Sequence, residues 1–274
     1  MMGDLYVVPT PIGNLEDITL RALRILKQAS LIAAEDTRTT ARLLAHFDIH
    51  TPLISYHEHN KLARLDTVLA ALETGDVALV SDAGTPGLSD PGYELIQAVI
   101  AGGYRVVPLP GPSALLPALI ASGLPTDSFL YLGFLPRKAG ARRAVLQTVR
   151  DVPHTLVFYE APHRLVETLH DMLDVLGTRQ VCIARELTKI HEELWRGSLS
   201  EALAAFSQRD PRGEITLVVE GCLPQPESLW RPEQVRAALA EQLAQGESRS
   251  AAAKAIAAQS GWPRRTIYDL DMKD

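Results

Sequence analysis

The chain has 274 residues, 46% of them hydrophobic and 22% charged, with 27 lysines and arginines against 33 aspartates and glutamates. Such a composition can close a sizeable core, which argues against extended disorder. The formal net charge of −6 disfavours a generic nucleic-acid coat, because phosphate contacts want basic surface.

Met1-Met2-Gly3-Asp4 runs straight into Leu5-Tyr6-Val7-Val8 without the basic and apolar regions of a secretory signal. No stretch approaches the roughly 18 apolar residues of a membrane span. Cys182 and Cys222 form neither a CxxC nor a metal-type spacing, and they read as reduced thiols. A cytoplasmic location is the expectation.

Short β-branched runs alternate with helical stretches from the start. The spacing predicts strands over Leu5–Pro9, Leu31–Ala34, Pro52–Tyr56, Val77–Ser81 and Arg105–Leu109, and helices over Leu20–Gln28, Thr39–Phe47, Lys61–Glu73, Gly92–Ala101 and Ser113–Ala121. This alternation predicts an α/β fold with a mostly parallel sheet, whose ligands bind beyond the carboxyl ends of the strands. The turn-rich Ser122–Ser128 reads as a lobe boundary. After it come strands over Phe129–Phe134, Thr155–Tyr159, Val181–Ala184 and Ile215–Val219, and helices over Ala139–Arg150, Arg164–Leu176 and Ser200–Ser207. The expectation is two α/β lobes with a cleft between them, at residues 1–121 and 122–222, and an extension over 223–274. Proline-rich Gly221–Pro232 is a linker by composition. Helices then follow over Pro232–Gln245, Ser248–Gln259 and Pro263–Leu270, with Ser248 as an N-cap and Gly261 as a stop.

Three loops follow strands of the first lobe: Pro9–Leu15, Ser81–Gly87 with its continuation to Asp90-Pro91-Gly92, and Pro110–Ala114. Glycine lets backbone approach a ligand closely, and proline fixes the turn around it. There is no Walker-type G-x-x-x-x-G-K-[ST] and no G-x-G-x-x-G after the first strand, and few basic side chains lie near these glycines. Asp82 would repel a phosphate. A zwitterionic amino acid joined to a nucleoside fits better than a triphosphate. Glu35, Asp36, Glu160, Glu186 and Lys189 sit at other strand ends and are candidates for acid–base work; each could equally be a helix cap or an ion-pair partner. Arg137, Lys138, Arg142, Arg143 and Arg150 contribute +5 with no acid among them, leaving −11 for the rest of the chain. They read either as a solvated helix face or as a phosphate-tracking patch. The eight histidines make no zinc-type pairing with the cysteines. His57-Glu58-His59 could bind a metal but is more simply a solvated loop, so no metal is expected. The three tryptophans are too scattered to make a base-stacking platform.

The loops Leu5–Leu15, Ala34-Glu35-Asp36-Thr37-Arg38, Ser81–Gly92, Pro110–Ala114, Phe158–Leu165 and Arg185–Lys189 resemble those of the bacterial 16S ribosomal RNA cytidine 2′-O-methyltransferases, within the tetrapyrrole-methylase-like superfamily. The resemblance runs over residues 5–221, and the helical tail looks like that family's extension. It implies a homodimer of class III methyltransferase chains, S-adenosylmethionine in the cleft, and a ribose 2′-hydroxyl of the small ribosomal subunit as acceptor. It further implies cofactor contacts from Thr10, Pro11, Ile12, Gly13, Ser81, Asp82, Ala83, Gly84, Thr85, Pro86, Gly111, Pro112, Ser113, Ala114, Phe158, Tyr159, Glu160 and Ala184. Glu35, Asp36, Arg38, Glu186 and Lys189 would lie near the target ribose, and Arg137, Lys138, Arg142 and Arg143 would meet the RNA. A tetrapyrrole C-methyltransferase is the nearest alternative; those enzymes usually open with a Gly-x-Gly-Pro-Gly loop, where this chain has Thr10-Pro11-Ile12-Gly13-Asn14. A non-catalytic RNA-binding or ribosome-assembly module is another, and it leaves the three loops without a role.

Overall fold

Strand β1 (Leu5–Val7), helix α1 (Leu20–Gln28), β2 (Leu31–Ala34), α2 (Thr37–His46), β3 (Leu53–Ser55), α3 (Lys61–Leu72), β4 (Val77–Val80), α4 (Tyr93–Ala101) and β5 (Val106–Pro108) build the first lobe. They belong to a computed structural model that describes residues 2–57, 61–222 and 230–270. The five strands form one parallel sheet in the order β3-β2-β4-β1-β5. β4 lies inside it and is buried along its whole length, which fits its unbroken Val-Ala-Leu-Val run. Helices begin where side chains can satisfy their first amides: Thr19 accepts from Ala22 N, and Asp36 accepts from Arg38 N. The Asp36 cap starts α2 two residues earlier than its threonine-rich sequence suggests.

Helix α5 (Leu115–Ser122) leads to β6 (Phe129–Phe134), α6 (Ala139–Thr148), β7 (Thr155–Glu160), α7 (Leu165–Leu176), β8 (Gln180–Arg185), β9 (Glu193–Ser198), α8 (Leu199–Phe206) and β10 (Ile215–Val219). The second sheet has the order β6-β7-β10-β8-β9. It is mixed: β6 and β7 are parallel, and the remaining pairings are antiparallel. Strand β9 was not foreseen from the sequence. It is an edge strand carrying Glu193 and Arg196, the charged pattern by which edges resist further pairing. Helix α5 packs on this second sheet: Leu115, Ala118 and Leu119 share a core with Val157, Cys182, Ala184 and Val218. The helix expected to end the first lobe thus packs on the sheet of the second.

The chain forms two compact units. One comprises the residues up to Arg150 with His154–Gly221, and the other comprises Asp151–Pro153 with the segment from Cys222 onward. In the second, α9 (Pro232–Ala244), α10 (Arg249–Ser260) and α11 (Arg264–Tyr268) enclose Val235, Leu239, Ala252, Ala253, Ile256 and Ile267. Ser248 caps α10, and Gly261 ends it at φ +68°, as expected of an αL stop. The prolines of the expected linker at 224 and 226, and Glu58-His59 of the histidine pair, lie outside the described residues.

Candidate active site

Because the first sheet is parallel, the carboxyl ends of β2, β4, β1 and β5 share one edge, and these four strands are consecutive neighbours. The loops after them are stitched together. Thr10 and Gly84 exchange backbone hydrogen bonds, each 2.9 Å. The Thr10 hydroxyl donates to Ser81 O at 3.0 Å, and the Thr85 hydroxyl donates to Pro112 O at 3.2 Å. Gly84 takes φ +79°, and a Cβ there would meet Ile12 Cγ2 at 3.5 Å. Only glycine enters that conformation without strain. The second sheet contributes the carboxyl ends of β6, β7 and β8 and, because β10 runs antiparallel to its neighbours, the amino end of β10.

Together these loops line a cavity of about 400 Å³. Of the residues expected to contact a cofactor, Ile12, Asp82, Ala83, Gly84, Thr85, Ser113, Ala114, Tyr159, Glu160 and Ala184 line it. Thr10, Pro11, Gly13, Ser81, Pro86, Gly111 and Pro112 are not on its wall; Thr10 and Ser81 are buried behind it as loop ties. Phe158 is fully buried, and strand alternation turns it away from the face that carries Tyr159. It is core, not wall. Glu160 lines the cavity, but its carboxylate is spent internally: it accepts from the Thr168 hydroxyl at 2.6 Å and from Ala161 N at 2.8 Å. Gly13 packs against the opposite loop, where a Cβ would come within 2.3 Å of Lys189 Cγ.

The acid–base candidates separate in the same way. Glu35 lines the cavity and accepts from Asp82 N at 3.3 Å, while Asp82 accepts from Asp36 N at 3.0 Å. Burial pushes both carboxyls up, and each is held near other acids. Asp36 is the cap of α2 and grips Arg38 (Nη2 to Oδ2, 2.7 Å), whose side chain is 85% exposed. The Arg38 hydrogen bonds hold the Asp36 carboxyl down at about 2. This pair is not on the cavity wall. Glu186 sits at φ +53° and accepts from Lys189 Nζ at 2.8 Å and Glu214 N at 3.0 Å. Burial pushes its carboxyl up, but the Lys189 and Glu214 hydrogen bonds outweigh that and leave it lowered. Glu186 and Lys189 therefore buttress the loop that presents Glu214 to the cavity.

Some wall residues were not singled out from the sequence. Asp90 is pushed up to about 7 by burial and by Glu35, with smaller contributions from Asp82 and Glu214; a hydrogen bond with Ser81 opposes the rise. Phe134, Leu187, Glu214 and Thr216 also line the cavity. No lysine, arginine or histidine does so among the described residues.

The basic segment is divided. Arg137 and Lys138 are exposed. Arg142 is 2% exposed, and its Nε donates to Asp171 Oδ2 at 2.6 Å, which removes it from any surface patch. Arg143 donates to the other oxygen of Asp171 at 2.5 Å. The metal-capable group among the described residues is His170, Asp171 and Asp174; there Asp171 is committed to the two guanidiniums.

The two-sheet fold and the cleft at the strand ends define a class. The sequence model for Tetrapyrrole (Corrin/Porphyrin) Methylases matches residues 4–203. The structure resembles uroporphyrin III C-methyltransferase from Thermus thermophilus (TM-score 0.55, 22% identity, covering 79% of this chain and 97% of that one). It also resembles the methyltransferase CobJ (TM-score 0.61, 19% identity, covering 80% and 94%). Among sequence relatives, the ribosomal RNA small subunit methyltransferase I of Synechocystis sp. is 48% identical over 99% of this chain and 98% of its own length. That of Halalkalibacterium halodurans is 50% identical over 98% and 94%. The chain belongs to the ribosomal RNA small subunit methyltransferase I family within the tetrapyrrole methylases.

Proposed function

We propose that the chain transfers a methyl group from S-adenosylmethionine to a ribose 2′-hydroxyl of a cytidine in 16S ribosomal RNA of the small subunit. The observation that carries the cofactor half is the wall of the cavity: backbone-rich loops, the apolar Ile12, Leu88 and Leu187, and the acids Glu35, Asp82, Asp90 and Glu214, with no base among the described lining residues. Such a wall suits a cationic ligand with an apolar body and repels a polyphosphate. A Thermus thermophilus relative in fold was solved with S-adenosylhomocysteine. The acceptor half is supported by relatives about 50% identical over nearly the whole chain whose names specify small-subunit ribosomal RNA, against 22% identity to a uroporphyrin enzyme.

S-adenosylmethionine supplies an electrophilic methyl group on a sulfonium. The chain's own residues position two reactants for in-line displacement, and this is the dominant requirement of such a transfer. Gly84 and Ala83 offer close backbone approach, and Tyr159 and Ala184 close the far wall. Glu35 and Asp90 are carboxyls placed on the wall to take the hydroxyl proton. Asp36, Arg38, Glu186 and Lys189 shape the loops around them. Arg137, Lys138 and the partly exposed Arg143 are the proposed RNA contacts. Homodimerisation belongs to the same reading; Leu116 and Ile120, one turn apart on α5 and 50% and 73% exposed, are apolar surface that a second copy would cover. Calorimetry with S-adenosylmethionine tests the cofactor half: saturable heat is expected, and its absence in a folded protein would refute it.

A further inference from the structure

We propose that Phe134 is the platform on which the base of the target nucleotide stacks while its ribose enters the cavity; the inference rests on the RNA-methylating reading above. Phe134 is 54% exposed, although it ends a strand whose next residue, Leu135, is buried. It also lines the cavity. An aromatic ring left half exposed on the wall of a ligand-sized cleft is poorly explained as core. RNA-modifying sites read splayed-out bases by stacking them on such rings.

The local backbone is built to hold the ring there. The pairing of β6 with β7 shifts register between Tyr131 and Phe134, and Gly133 takes φ +61°. A bulge of this kind re-aims the side chain that follows it. A Cβ on Gly133 would come within 3.0 Å of Ser89 Oγ, so the glycine also lets the strand approach the loop that carries Asp90. Tyr159 supports the Phe134 ring edge-to-face at 5.7 Å. Tyr131 supports Tyr159 at 5.2 Å and is anchored to Ser89 Oγ through its hydroxyl at 2.6 Å. Beyond the ring, Arg164 Nη2 donates to Leu135 O and Pro136 O at 2.7 and 3.2 Å. It thereby pins the turn that delivers Arg137 and Lys138. These two exposed cations follow Phe134 by three and four residues, so their backbone lies within about 14 Å of it. A stacking ring with cations beside it is the pattern that holds a single nucleotide in an unpaired strand.

The test uses the full chain and small ribosomal subunits lacking the modification, with kcat and KM for the subunit measured separately from S-adenosylmethionine affinity. Phe134→Ala is expected to lower kcat/KM for the subunit by about five- to a hundredfold, the usual range for losing one base stack, with a smaller change in cofactor affinity. Phe134→Tyr and Phe134→Trp should retain activity within about threefold. Phe134→Leu, equally apolar but without a π-face, should stay as impaired as Phe134→Ala. Full activity of Phe134→Leu, unchanged kinetics of Phe134→Ala, or a loss confined to cofactor affinity or to oligomeric state would each overturn the stacking role while leaving the proposed function intact. No transfer by the unmodified chain, with cofactor binding present, would overturn the proposed acceptor and this inference with it.

Discussion

Asp90→Asn isolates the cost of keeping one carboxyl among several others. Burial and Glu35, with Asp82 and Glu214 behind them, push Asp90 up to about 7, whereas an unfolded chain releases that proton near 3.9. Between about pH 4 and pH 7 the folded chain therefore holds the proton and the unfolded chain does not, so stability falls as pH rises through that window. At about 1.4 kcal/mol per pH unit the whole window is worth about 4 kcal/mol. The cavity opens to water, and screening leaves roughly half of that. Asparagine has the same shape and cannot ionise. Urea titrations from pH 4 to pH 8.5 should find the variant and the parent nearly equal at pH 4, with the variant more stable by about 2 kcal/mol at pH 8.5. A difference that does not change with pH would refute the reasoning.

Gly84→Val forces a β-branched residue into φ +79° beside Ile12. It should cost about 1–3 kcal/mol of stability and abolish S-adenosylmethionine binding by calorimetry; normal affinity in a folded variant would remove this glycine from the cofactor wall. Asp171→Ala leaves the buried Arg142 guanidinium with Glu167 Oε2, at 3.6 Å, in place of its 2.6 Å partner and should destabilise by about 3–5 kcal/mol in denaturant unfolding. A loss below about 1 kcal/mol would mean the pair behaves as a surface bridge. Arg137→Glu with Lys138→Glu should weaken RNA binding and flatten its dependence on log salt by roughly one unit per removed contact, while leaving the unfolding midpoint unchanged. An unchanged salt slope would exclude these two from the RNA contact.

The loops were legible because they are local. Pro9–Leu15, Ser81–Gly92 and Pro110–Ala114 each declare themselves by their glycines and prolines, and the alternation of short strands and helices gave the parallel first sheet. What could not be read was the order β2-β4-β1-β5, which depends on long-range pairings such as Leu31 with Val77 and Leu5 with Val106 and which makes the three loops neighbours. Asp90 looked like a turn residue, because its carboxyl is raised by burial in the folded cleft and by Glu35, far away along the chain. Phe134 looked like ordinary strand, because the bulge at Gly133 is a product of pairing. Arg142 did carry a signal. It stands four residues before the buried Leu146, on the inward seam of α6, and its partner Asp171 lies on the buried seam of α7. That periodicity divides the basic segment into the inward Arg142 and the outward Arg137 and Lys138. The edge strand β9 gave no strand signal because Glu193–Ser198 lacks apolar alternation.

The most direct test of the central claim is methyl transfer from labelled S-adenosylmethionine to small ribosomal subunits that lack the modification, with the product mapped by nucleotide and by position. Label on the ribose 2′-oxygen of a single cytidine is the expected result. Label on a base, or no label on subunits or on naked 16S ribosomal RNA despite demonstrated cofactor binding, would contradict the account and move the acceptor to another class of molecule.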